Sequence, residues 1–207
     1  MGWMLGSLLP LAALCSAASA AAEPRNFTVD PAASRILVQV GKAGLFKFAG
    51  HEHEVAAPIA SGSVVADVQE LGRSSVILSW NSAELRVTGK GEPAEDVPKV
   101  QGKMVGAEVL DVGRHPLISF TSKAISGRPT GPGAWELLVK GDLVLRGIPR
   151  EVALPMDVTL QGEELKATGR YVLKQRDHAI EPVSVAGVVK VKNELTITYS
   201  IVARARN

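Results

Sequence analysis

Cysteine is almost missing: the 207 residues contain one, Cys15, and it lies in a segment that reads as removable. The remainder therefore has no thiol chemistry and no disulfide, and an ordinary hydrophobic core must stabilise it. Long apolar runs are missing too. None reaches the ~20 residues that a membrane-spanning helix needs. A basic tract is likewise absent, since 23 Lys and Arg are interspersed with 21 Asp and Glu for a net charge of +2, which gives no footprint for nucleic acid. Charge of either sign is lacking before Glu23. The first 22 residues run apolar from Leu5 to Cys15 and then turn small through Ser16, Ala18, Ser19, Ala20, Ala21 and Ala22, the layout of a secretory signal peptide in which the terminal amine supplies the positive charge. Leu14 is too bulky for lipid attachment at Cys15, so cleavage after Ala20 or Ala22 is expected. This reading divides the chain into a signal peptide, residues 1–22, and one exported domain, residues 23–207, in the periplasm or outside the cell.

What is present is strand-like alternation. Ile36, Val38 and Val40 fall on one face and Arg35, Leu37 and Gln39 on the other. The same period of two returns at Val76, Leu78 and Trp80, at Trp135, Leu137 and Val139, from Val152 to Leu160, and from Leu195 to Ile201. Turn signals at Ser126-Gly127, Gly131-Pro132-Gly133, Gly147-Ile148-Pro149 and Gln161-Gly162 are spaced as in an antiparallel meander. One stretch differs. Asp96 is placed to cap a helix with Pro98 in its first turn, and Val97, Val100, Met104 and Ala107 recur near helical spacing. An inserted α-helix is expected near residues 97–110, ending around Asp111 to Gly113. Many antiparallel strands leave two raw edges unless the sheet closes, so the expected fold is all-β: one antiparallel barrel of about eight strands with that helix inserted.

Several stretches resemble the YceI family in order and spacing. They are Asp30-Pro31-Ala32-Ala33-Ser34-Arg35-Ile36, Phe48-Ala49-Gly50, Val109-Leu110-Asp111 with the following Val112 to Phe120, and Gly141-Asp142-Leu143-Val144-Leu145-Arg146-Gly147-Ile148. Arg176-Asp177-His178-Ala179-Ile180 is similar to the family's Arg-x-Asp-Phe-Gly-Ile, with His178 and Ala179 in place of phenylalanine and glycine. The resemblance covers nearly the whole of residues 23–207. It implies a lipocalin-like barrel around an apolar tunnel, and some members bind polyisoprenoid chains such as quinone tails.

The function expected from this resemblance is binding of a long apolar ligand, a polyisoprenoid or isoprenoid quinone. Ile36, Val38, Leu78, Trp80, Ile118, Phe120, Trp135, Leu137, Leu154, Tyr171 and Tyr199 are the expected tunnel wall, most inward residues otherwise being plain core. No cofactor is required beyond the bound lipid or quinone. The implied partners are that lipid, with transient contact to a membrane or a membrane redox protein, and no nucleic acid. His51-Glu52-His53-Glu54-Val55 is the unusual local feature, because residues two apart on a strand share a face. His51, His53 and Val55 then point inward, and a bulge at Gly50 reconciles them with Phe46 and Phe48, which are in the opposite phase. With His178 the two histidines are expected at the ligand headgroup. The alternative is a metal-binding protein or metal-dependent enzyme in which His178 is the third ligand that zinc requires. His115 has the look of an exposed turn histidine, and Gly89-Lys90-Gly91 lacks the spacing of a phosphate loop and reads as a mobile turn. No nucleophile elbow, Cys–His pairing or spaced carboxylate motif is present, so a binding protein is expected rather than an enzyme.

Overall fold

The computed structural model describes residues 23–43, 52–185 and 189–206. The signal-peptide reading of residues 1–22, the bulge at Gly50 and the inward placement of His51 all lie outside the described residues. The remainder is a closed antiparallel barrel of eight strands carrying a side wing. Around the barrel run β1 (Arg25–Val29), β4 (Ser61–Ala66), β5 (Ser75–Asn81), β7 (Leu117–Gly131), β8 (Ala134–Leu145), β9 (Ile148–Gln161), β10 (Glu164–Lys174) and β12 (Val189–Ala205), which returns to β1. The wing adds β2 (Arg35–Ala43), β3 (His53–Ala56) and β6 (Arg86–Val87), and the two-residue β11 (Ser184–Val185) pairs with the start of β12.

The wing exists because β12 changes partner along its length. Its upper part pairs with β2 from Leu195↔Val40 to Ser200↔Arg35, and its lower part pairs with β1 from Ala203↔Val29 to Ala205↔Phe27. At the fork, Val202 N donates to Ser34 Oγ (3.0 Å) and Asp30 N donates to Val202 O (2.8 Å). Asp30 Oδ1 accepts from Ala32 N and Ala33 N, which folds the intervening turn. The Asp-Pro-Ala-Ala-Ser stretch is thus the piece of chain that lets one strand serve two sheets.

α1 (Val97–Val105) covers the open edge of the wing. Gln101 uses its side-chain amide as a surrogate strand: Nε2 donates to Leu85 O (3.0 Å) and Oε1 accepts from Val87 N (2.8 Å). The helix is shorter than the expected 97–110. Gly106 ends it, and the chain turns through Asp111, which is in the left-handed region (φ 47°). Nor does the Asp96 side chain cap the helix; it pairs with Lys99 at 2.9 Å.

The hairpin signals hold at Gly131-Pro132-Gly133 and at Gln161-Gly162; of Gly147-Ile148-Pro149 only Gly147 is in the turn, since Ile148 and Pro149 already belong to β9, and Arg146 with Gly147, at φ of 52° and 71°, makes the primed turn that matches strand twist. Ser126-Gly127 is a correction, since it lies inside β7. Glycine is needed there for close strand approach: a Cβ on Gly127 would fall 2.1 Å from Glu136 O of β8. β9 and β10 pair only from Gln161↔Glu164 to Met156↔Gly169, and part at Pro155, which has no N–H to offer. A 3-10 turn, Gln175–His178, fills the wedge between them.

Candidate functional site

Inside the barrel is a cavity of about 1010 Å³, at the upper end of the ~300–1,000 Å³ common for small-molecule pockets. Ile36, Val38, Leu78, Trp80, Ile118, Phe120, Trp135, Leu137, Leu154, Tyr171 and Tyr199 all line it. The reason is local to each strand. Alternate residues face the same side, so Ile36, Val38 and Val40 of β2 and Leu195, Ile197, Tyr199 and Ile201 of β12 reach the interior, while Leu37 and Gln39 of β2 and Thr196, Thr198 and Ser200 of β12 do not.

Tyr199 and Trp80 are among the wall residues that carry polar atoms. Tyr199 OH donates to Pro155 O at 2.5 Å across Gly169, where a Cβ would meet that carbonyl at 2.4 Å and the Tyr199 hydroxyl at 2.6 Å. Burial pushes the Tyr199 phenol up to about 12, so its proton stays in that bond throughout the physiological range. Trp80 Nε1 is buried with no acceptor among the described residues.

Other polar side chains gather at the end of the cavity formed by the start of β3, the loop after β6, α1 and the Gln175–His178 turn. His53 lines the cavity beside Val55, and its Nδ1 stands 3.0 Å from Glu92 Oε2. Glu92 was not legible as a site residue. It is carried inward by the Gly89-Lys90-Gly91 turn, in which both glycines are left-handed (φ 75° and 78°). The turn is held rather than loose: Thr88 N donates to Glu54 O (2.8 Å), Thr88 Oγ1 donates to Glu54 Oε1 (3.2 Å), and Lys90 Nζ lies 3.6 Å from Glu54 Oε2. Gln39 donates to Glu54 as well, and these bonds hold the Glu54 carboxyl below its usual range. Two glycines closely flanking a lysine, between a strand and a helix, are the only sequence signal that the chain re-enters there.

The family model described as the YceI-like domain matches residues 27–203. The chain belongs to the YceI family. Solved structures agree in fold. BcnA of Burkholderia cenocepacia is 20% identical, with 84% of this chain and 98% of that chain covered and a TM-score of 0.64. A polyisoprenoid binding domain from Saccharophagus degradans, implicated in plant cell wall breakdown, is 11% identical, with 87% and 98% covered and a TM-score of 0.63. The YceI protein of Campylobacter jejuni is 10% identical, with 73% and 84% covered and a TM-score of 0.52. A search of curated proteins finds no match.

Within the YceI pattern, the last motif explains His178. The resemblance noted above sets it in place of a phenylalanine, and it is buried as an apolar side chain would be, 1% exposed, in the wedge between β9 and β10. Nδ1 bonds Ile148 O at 3.1 Å, which requires that nitrogen to carry the proton. Burial pushes the imidazole below its ordinary value, opposed by the Ile148 carbonyl and helped by Arg150. The strand is irregular here, which is why His178 is inside at all, but the ring is not on the cavity lining. Its place at the headgroup is therefore corrected to a structural one. The metal reading loses its third ligand with it, and no group of three or more His, Cys, Asp or Glu converges among the described residues. Ala179 lies in the left-handed region (φ 52°, ψ 34°), the conformation that glycine adopts most readily.

Proposed function

We propose that this YceI-family protein is exported and holds a long apolar molecule, a polyisoprenoid or isoprenoid quinone, inside its barrel, binding it without transforming it. The observation that carries this reading is a cavity of about 1010 Å³ walled mainly by aliphatic and aromatic side chains. Burying apolar surface contributes roughly 25 cal/mol per Å², so a prenyl chain enclosed in such a space binds strongly through area alone, less its ordering cost. The Saccharophagus degradans neighbour, a polyisoprenoid binding domain, supports the ligand class. No resident cofactor is needed for this role. Loading or delivery would proceed by transient contact with a membrane or a membrane redox protein.

The test is mass spectrometry on an organic extract of protein purified from the periplasmic fraction, with intact mass measured in parallel. The expected result is a prenyl species at near-stoichiometric amount on a chain beginning near Ala21 or Glu23. A folded, lipid-free protein that also refuses added prenyl lipids would overturn the binding role, and a soluble cytoplasmic product retaining Met1 to Ala20 would overturn export.

A further inference from the structure

Among the described residues, two acidic side chains on the cavity lining are almost wholly buried, Asp67 at 3% and Glu92 at 1% exposed, and they differ in what they touch. Asp67 is satisfied: Oδ1 accepts from Gln69 N (3.0 Å) and Glu70 N (2.9 Å), and Oδ2 faces Arg73 Nε at 3.4 Å. Glu92 is not. Neither of its oxygens accepts a hydrogen bond among the described residues; its contact is with His53, whose Nδ1 stands 3.0 Å from Oε2 and makes an ion pair with it only when the imidazole is protonated. A buried polar group without a partner is costly, and the cost is larger for an ionisable one. The chain nonetheless brings Glu92 inward on two left-handed glycines and fastens the turn to Glu54.

We propose that Glu92, beside His53 at the polar end of the cavity, is the headgroup site and selects a neutral, hydroxyl-bearing headgroup: a prenyl alcohol, prenylated phenol or quinol. The inference rests on the reading that a long apolar chain fills the cavity. A carboxylate only accepts hydrogen bonds, so its natural complement is a donor, which an alcohol, phenol or quinol hydroxyl supplies and a quinone carbonyl or an ether does not. A prenyl phosphate would bring like charge against a buried carboxyl. The lysines on the lining have partners of their own: Lys99 is paired with Asp96, Lys103 with Glu108, and Lys42 of β2 is engaged as well.

The experiment uses delipidated protein and three probes of one chain length: geranylgeraniol, its methyl ether and geranylgeranyl phosphate, each displacing a fluorescent apolar reporter. Wild type is expected to favour the alcohol over the ether by roughly ten- to hundred-fold, the range of one hydrogen bond to a charged group, and to bind the phosphate more weakly than the alcohol. Glu92→Leu should bring alcohol and ether to near parity while keeping ether affinity, which also shows that the cavity is intact. Glu92→Gln, which keeps an accepting carbonyl, should retain part of the preference and bind the phosphate better than wild type. Equal binding of alcohol and ether by wild type, a preference undiminished in Glu92→Leu, or tightest binding of the phosphate overturns the headgroup assignment and leaves the apolar cavity reading standing. Failure of wild type to bind any of the three overturns both.

Discussion

A histidine buried in a phenylalanine's place must stay neutral to remain there. Burial lowers the folded pKa of His178 from its ordinary 6.5, so below that value the unfolded chain binds a proton that the folded chain does not. Stability from this group is complete above about pH 6.5 and is lost as pH falls toward the folded pKa. Thermal melts across this range should show wild type losing ground to His178→Phe as the pH drops, and parallel curves would contradict the assignment. Ala179 next to it is strained. A side chain in the left-handed region costs ~1–2 kcal/mol, part of which glycine gives back in unfolded-state entropy, so Ala179→Gly should stabilise by about 0.5–1 kcal/mol in denaturant titration. The two changes are best measured singly, because adjacent substitutions couple. At the other glycine contact, Tyr199→Phe should cost about 1 kcal/mol, the worth of one hydrogen bond. Gly169→Ala should cost more, since its Cβ meets backbone at 2.4 Å and backbone cannot swing aside.

Elements are joined in this barrel by single side chains that stand in for strand backbone. Gln101 satisfies both free groups of the β6 edge and so fastens α1 over one end of the wing. Gln101→Ala leaves Val87 N and Leu85 O without those bonds, and the expected outcome is faster amide exchange confined to residues 97–105 with little change at the β8–β9 core. Uniform exchange would mean that the helix is held by its apolar contacts alone. Ser34 has the comparable task at the β12 fork, where neither β1 nor β2 pairs with Val202 and its N–H on that side is met by the serine hydroxyl. Arg146 ties the β8–β9 hairpin to neighbouring loops by donating to Ala107 O (2.8 Å) and to Ala179 O.

For the molecule as a whole, the prediction concerns which face of the wall meets ligand. Leu154 and Leu137 line the cavity, whereas Ile77 on β5 is 52% exposed on the outside. Leu154→Glu or Leu137→Glu places an unpaired charge against an apolar tail and should abolish lipid retention in a protein that circular dichroism shows to be folded. Ile77→Glu should keep it. Wild-type lipid content in a folded Leu137→Glu variant would mean that this position does not touch the tail.

Strand faces were legible from the sequence because the period of two is a local property: whatever β2 or β12 pairs with, Ile36, Val38, Tyr199 and Ile201 must share a side. The helix was legible for the same reason, and its early stop at Gly106 was not, because the apolar spacing runs on to Ala107 while the packing does not. Other features depend on residues far apart in the chain. The β12 fork needs Val202 to meet Ser34. The buried seat of His178 needs β9 and β10 to part at Pro155, so a histidine that by sequence suits a metal or headgroup becomes core. Glu92 reads as one more charge in a glycine-rich turn until the fold brings that turn back against His53. Sequence by itself determined which residues face inward. Whether the inward faces meet or leave a cavity was decided only by tertiary structure, because that follows from how many strands close the barrel and with what stagger, and no single strand carries either quantity.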